Sequence, residues 1–161
     1  MIVVVGLSHQ TAPLEVREAL AVPRERMGEA LQRLREESGL AEAMILSTCN
    51  RVELYAAVEP DVPCSEALLA SLLSEITGVD TAVFAGQLYA HTDREAAEHL
   101  LRVATGLDSS VLGEPQILGQ VKTAFQTAKD AGRTGKLLTR LFQHAFSTAK
   151  QVRTDTAIGD S

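Results

Sequence analysis

Scarcity narrows what this 161-residue chain can do. Two cysteines, Cys49 and Cys64, are too few for a disulfide framework or a four-cysteine zinc site. Aromatic residues make up only 4% of the chain, and no RNA-binding motif with stacking aromatics is present. There is no apolar run of 18 residues, and Met1-Ile2-Val3-Val4-Val5-Gly6 lacks the basic region and cleavage pattern of a signal peptide. A cytoplasmic protein without membrane attachment is therefore expected, in a reducing setting that keeps a thiol free. No metal-ligand spacing, Gly-x-Gly-x-x-Gly fingerprint, internal repeat or low-complexity segment occurs, so neither a metal site nor a dinucleotide site is expected in these residues.

What is present is enough apolar material for a core. A hydrophobic content of 45% supports one well-cored domain, or two small subdomains sharing a core. The formal charge of −6 is unevenly spread: residues 1–121 hold 8 Lys/Arg against 18 Asp/Glu, and residues 122–161 hold 7 against 3. Lys129, Arg133, Lys136, Arg140, Lys150 and Arg153 could meet a nucleic-acid backbone. From charge alone, a solvated helix face explains them as well.

Periodicity sets out the elements. Ile2–Val5 reads as a strand, and Pro13 opens a short helix around Leu14, Val16, Ala19 and Leu20. Met27, Ala30, Leu31 and Leu34 mark a second helix with Gly39 as its stop. Met44–Leu46 and the alternating Val52, Leu54, Ala56, Val58 read as two strands, the second half-buried. Ser65 caps a helix bearing Leu68, Leu69, Leu72, Leu73 and Ile76 that Gly78 ends, and Gln87–His91 reads as a fourth strand. Thr92-Asp93-Arg94-Glu95 has the form of a capping box. Two more helices follow: one from Pro115 to Gly132 with Ile117, Leu118, Val121, Phe125 and Ala128, and one lined by Leu137, Leu138, Leu141, Phe142, Ala145, Phe146, Ala149 and Val152. The order predicts an α+β fold: a split β-α-β, four-stranded antiparallel sheet with helices on one face over residues 1–91, then a small helical bundle over 92–161.

Chemistry concentrates in Ser47-Thr48-Cys49-Asn50-Arg51-Val52-Glu53-Leu54-Tyr55, where a thiol, an amide and a guanidinium fall between two strands. A thiolate is a strong nucleophile, and a nearby guanidinium favours its ionisation and offers a two-pronged carboxylate clamp. Taken by type, a free cysteine is more often a small buried hydrophobe.

Further segments share a pattern with this one: Gly6-Leu7-Ser8-His9-Gln10-Thr11-Ala12-Pro13-Leu14, and Gly106-Leu107-Asp108-Ser109 running on as Ser110-Val111-Leu112-Gly113-Glu114-Pro115-Gln116-Ile117-Leu118-Gly119-Gln120-Val121-Lys122. In this order they resemble the glutamyl-tRNA reductase family over nearly the whole chain. The resemblance implies a catalytic domain in which Cys49 attacks the ester of glutamyl-tRNA and forms a thioester that NADPH reduces to glutamate-1-semialdehyde, for tetrapyrrole synthesis. The family's nicotinamide-binding and helical dimerisation domains are expected to be absent here, leaving a monomer that would otherwise be a homodimer. Carried over by motif, the substrate-binding positions are Thr48, Cys49, Asn50, Arg51, Ser109, Glu114, Pro115, Gln116 and Gln120. Arg51 is then the clamp for the side-chain carboxylate, and Glu114 receives the α-ammonium.

His99 lies among Ala96, Leu100 and Val103 and is either a core histidine or a second catalytic group; His9 is a further candidate in its loop, and Cys64 is assigned no chemistry. A stand-alone thiol esterase and a non-catalytic module that binds glutamate or tRNA are the alternatives.

Overall fold

The β-branched run near the N-terminus builds the middle of a sheet. In the computed structural model, which describes residues 1–63 and 65–156, β1 (Ile2–Ser8) pairs antiparallel with β3 (Arg51–Val58) on one side and β4 (Tyr89–Thr92) on the other. β2 (Leu40–Ser47) completes the sheet outside β3, giving the order β2-β3-β1-β4 with every ladder antiparallel. This is the expected split β-α-β sheet. Helices α1 (Leu14–Leu20), α2 (Arg24–Arg35) and α3 (Ser65–Thr77) connect its strands, and a short α4 (Thr81–Phe84) with a 3₁₀ turn (Ala85–Gln87) precedes β4. Then follow α5 (Asp93–Ala104), α6 (Gln116–Asp130) and α7 (Lys136–Thr156).

The C-terminal helices do not stand apart as a bundle on their own core. Val121, Phe125, Ala128, Leu138, Phe142 and Ala145 join Val3–Val5, Leu31, Leu54 and Leu72 in one apolar cluster. Phe142 of α7 meets the edge of Tyr55 from β3 at 5.2 Å and stacks on Phe125 of α6 at 5.3 Å. Such pairs add roughly 0.5–1.5 kcal/mol each beyond area burial. Helices therefore cover both sheet faces, and β3, expected to be half-buried, is buried at every residue. A strand wedged between two helical layers has no solvent side, so Arg51, Glu53 and Tyr55 point into protein rather than water.

Several local expectations shift. Gly39 does not stop α2, which ends at Arg35. β4 runs over Tyr89–Thr92 instead of Gln87–His91, and Pro115 is the residue before α6 rather than its first. The capping box does not form: Thr92 makes no side-chain cap, and Asp93, at φ 45°, instead accepts the amide of Ile2 on its carboxylate at 2.9 Å. Gly78 and Gly132, both at positive φ, follow α3 and α6 as expected. Of the C-terminal basic residues, Arg133 is buried and Arg153 partly so, which removes them from any solvated cationic face. Cys64 lies outside the described residues.

One buried acid fixes α7 to the sheet. A register irregularity between Leu40 and Glu42 accompanies the inward turn of Glu42, whose carboxylate accepts the backbone amides of Gly135, Leu137 (3.1 Å) and Leu138 (3.0 Å). These amides at the start of a helix have no intrahelical partner, so an anion there is favoured twice, by hydrogen bonds and by the helix dipole.

Candidate active site

The β2–β3 turn offers its thiol to solvent while its backbone is tied on all sides. The amide of Thr48 donates to the carbonyl of Arg51 at 2.9 Å, and the Thr48 hydroxyl accepts the amide of Asn50 at 3.2 Å. The amide of His9 donates to the Asn50 carbonyl at 2.8 Å, and Arg17 of α1 donates through Nη1 to the Cys49 carbonyl at 2.7 Å. Ser47 accepts the amide of Val22 at 3.0 Å. Cys49 itself is exposed and unpaired. The sulfur thus stands at the apex of a turn whose backbone is fixed on several sides, open to a partner arriving from solvent.

Beneath the turn lies a buried polar network on the sheet face that α5 and α7 cover. Arg51 is 1% exposed; its Nη1 meets Glu53 at 3.2 Å, and its Nη2 donates to the Asp108 carbonyl at 2.8 Å with the Asp108 carboxylate at 3.5 Å. Glu53 is fully buried and accepts Tyr55 at 2.8 Å, Tyr89 and His99 Nε2. Burial alone would raise the Glu53 pKa, but His99, Arg51 and Tyr89 outweigh it and hold the carboxyl at about 2. Burial beside that anion pushes the Tyr89 and Tyr55 hydroxyls well up, so both remain hydrogen-bond donors. Burial, with Arg51 and Arg17 nearby, lowers the His9 pKa and leaves a neutral imidazole beside the turn. His91 stacks on His99 at 4.7 Å and is likewise lowered, by burial first and by His99 second.

Gly6 makes this network possible. It pairs with Glu53 on one side and Tyr89 on the other, so one rung crosses three strands with no side chain in the middle. A Cβ there would lie 2.5 Å from the Val52 carbonyl and 2.8 Å from Glu53 Cγ.

The residues expected from sequence thus divide. Thr48, Cys49, Asn50 and Arg51 share the turn, and the loop carrying Ser109 joins them, with Asn50 Nδ2 donating to the Ser110 hydroxyl at 3.1 Å. His99 is linked to the turn through Glu53 and Arg51, and it lines a cleft of about 390 Å³ with Gln10, Tyr89, His91, Arg102 and Asp108. Gln116 and Gln120 are exposed and line a different cleft, of about 560 Å³, between α2, β2 and α6; Ser47 alone connects it to the turn. Glu114 presents its carbonyl to Arg153. The roles of Glu53, Tyr89, Arg17 and Asp108 were not legible: each is an ordinary residue of its element until the fold brings it to Arg51, His99 or Cys49.

Comparison with known proteins fits this geometry. Residues 5–156 match the family model described as glutamyl-tRNA(Glu) reductase, N-terminal domain. The chain belongs to the glutamyl-tRNA reductase family. It is similar to glutamyl-tRNA reductases of Marinobacter nauticus, 51% identical over 99% of this chain and 37% of that protein, and of Stenotrophomonas maltophilia, 52% identical over 97% and 34%. A solved structure, glutamyl-tRNA reductase from Methanopyrus kandleri, superposes with a TM-score of 0.78 at 31% identity, covering 99% of this chain and 36% of that one. The chain thus spans about a third of the length of these relatives, and the part it spans contains the Cys49 turn and the network beneath it.

Proposed function

We propose that this chain performs the acyl-transfer half of glutamyl-tRNA reduction, with Cys49 as nucleophile. The carrying observation is the exposed thiol on a turn whose backbone is held by Arg17, His9 and Thr48. In this reading the Cys49 thiolate attacks the ester carbonyl, a carbon–sulfur bond forms, and the carbon–oxygen bond to the tRNA terminal ribose breaks. The departing ribose oxygen takes up a proton, and His99, lining the neighbouring cleft and hydrogen-bonded to Glu53, is the proposed group for orienting or protonating it. Thr48, Asn50, Ser109 and Glu114 supply hydrogen bonds around the amino acid, with Pro115, Gln116 and Gln120 farther along the same loop and helix.

Arg51 is the proposed reader of the glutamate side chain, but it is not free: Asp108 already sits 3.5 Å away. The Asp108 carboxylate holds the place a substrate carboxylate would take, so binding exchanges an internal partner for an external one. A guanidinium fork suits such an exchange, because it keeps its second arm on Glu53 throughout.

Reduction of the thioester to glutamate-1-semialdehyde by NADPH completes the proposed reaction. Every ladder of this sheet is antiparallel, and among the described residues there is no parallel β-α-β crevice at strand ends of the kind that holds dinucleotides. Delivery of the hydride, like homodimerisation, is proposed for the part of the longer relatives that this chain does not span. No single helix among the described residues is long and apolar enough to cross a membrane, and a cytoplasmic setting suits a tRNA substrate.

Intact-mass spectrometry of the chain incubated with glutamyl-tRNA tests the reading. A glutamyl adduct is expected on the unaltered protein and none on Cys49→Ser. An adduct of equal yield on the serine variant, or one mapped to Cys64, would refute it.

A further inference from the structure

We propose that Arg153, in the last turns of α7, is a positioning residue for acyl transfer at Cys49, acting by holding the α5–α6 loop against the catalytic turn. The proposal rests on the acyl-transfer reading above. Its basis is one guanidinium bonded to both ends of one loop. Nη1 donates to the Gly113 carbonyl at 3.2 Å, and Nη2 to the Thr105 carbonyl at 3.3 Å and the Glu114 carbonyl at 2.8 Å. Thr105 is where the chain leaves α5, and Gly113–Glu114 is where it approaches α6.

Apart from Arg153 the loop is held by polar contacts: the Asp108 amide donates to the Arg102 carbonyl at 3.2 Å, the Ser109 amide to the Gly106 carbonyl at 3.2 Å, and the Asp108 carboxylate lies 3.6 Å from Arg102 Nε. Leu107, Val111 and Leu112 are 42%, 64% and 68% exposed, so its tip is not anchored by apolar packing. Its neck is pinched by the Gly113 amide on the Gly106 carbonyl at 2.9 Å. At that neck Gly106 has φ +81°, and a Cβ on it would lie 2.9 Å from the Gly113 backbone. On its far side the loop reaches the catalytic turn twice: Arg51 donates to the Asp108 carbonyl at 2.8 Å, and Asn50 donates to Ser110 at 3.1 Å. The loop is therefore a bridge with Arg153 at one abutment and the residues beside Cys49 at the other.

Arginine suits this place better than lysine. Its planar fork spreads donors over three carbonyls at once, whereas an ammonium is a single compact centre. Among the described residues no carboxylate pairs with Arg153, and its hydrogen bonds all go to the loop. Purely structural stabilisation would change melting alone; positioning predicts an effect on the reaction at fixed thiol reactivity.

The test compares the unaltered chain with Arg153→Lys and Arg153→Ala. Three readouts are followed: single-turnover acylation of Cys49 by glutamyl-tRNA, alkylation of Cys49 by iodoacetamide, and amide hydrogen exchange over residues 106–114. In Arg153→Ala, exchange at the Gly113 amide should rise and the limiting acylation rate should fall by about tenfold or more, as small misplacements of reacting groups do. Alkylation by the small reagent should stay within about twofold, because it needs the thiol but not the loop. Arg153→Lys should lie between, and added guanidinium should restore part of the alanine variant's rate. Should Arg153→Ala fail to fold, slower acylation with unchanged alkylation in Arg153→Lys is the deciding result. An acylation rate in the variants equal to that of the unaltered chain, or unchanged exchange in the loop, overturns the proposal. If the unaltered chain is not acylated at all, the acyl-transfer reading falls and this proposal with it, while the exchange data still show whether Arg153 holds the loop.

Discussion

Arg51 shows how a residue's neighbours alter its meaning. Beside Cys49 in the sequence it reads as a clamp waiting for a carboxylate; in the fold it is 1% exposed and already paired with Glu53 and Asp108. Removing one partner from a buried pair leaves an uncompensated charge, which costs about 3–5 kcal/mol. Arg51→Met should lower unfolding stability by about that amount in denaturant titrations. Arg51→Lys keeps the charge but loses the fork, and should narrow the preference for glutamyl-tRNA over glutaminyl-tRNA in competition acylation assays. Loss of stability with no change in preference would mark the residue as a strut for the turn and leave substrate reading to another group.

At the scale of elements, the constraint is the rung Glu53–Gly6–Tyr89. Gly6→Ala would drive a methyl group against the Val52 carbonyl and the Glu53 side chain, so β1 and β3 must separate or Glu53 must move. Forced overpacking costs about 1–3 kcal/mol, whereas Gly28→Ala inside α2, where a Cβ meets nothing within 4 Å, should stabilise by up to about 1 kcal/mol. Thermal melts of the two variants check the order. The strands and most helix limits were legible because apolar spacing records which face of each element is buried. Burial of the second face of β3 was not. Val52, Leu54 and Ala56 alternate with Arg51, Glu53 and Tyr55 in the manner of a half-solvated strand, and what covers the other side is Phe142 and its helix, some ninety positions later. The cysteine turn was legible by its motif, whereas Tyr89 and His99 meet Glu53 only after three strands and a helix have assembled. Gln116 and Gln120, on α6, line the cleft between α2, β2 and α6 that Ser47 also lines, a placement the motif alone does not disclose.

For the molecule as a whole, the buried network sets the acid limit of stability. The Glu53 carboxyl titrates at about 2 in the fold against an ordinary 4.5, so its stabilising contribution is complete above about 4.5 and disappears as pH falls towards 2. A gap of that size is worth on the order of 3 kcal/mol. Unfolding free energy should therefore decline between pH 4.5 and 2 in the unaltered chain, with a shallower slope in Glu53→Gln across the same interval. Parallel curves for the two proteins would place the acid sensitivity elsewhere.

Strand β4 has only four residues, so its ladder to β1 offers few backbone hydrogen bonds with which to fix the register. A slip of one residue would carry Tyr89 to the opposite face of the sheet and strip Glu53 of a donor in a place water does not reach. The phenol thus indexes an edge strand that is too short to index itself. Since α5 begins where β4 ends, the same tooth in the ratchet decides how far along the sheet His99 is delivered.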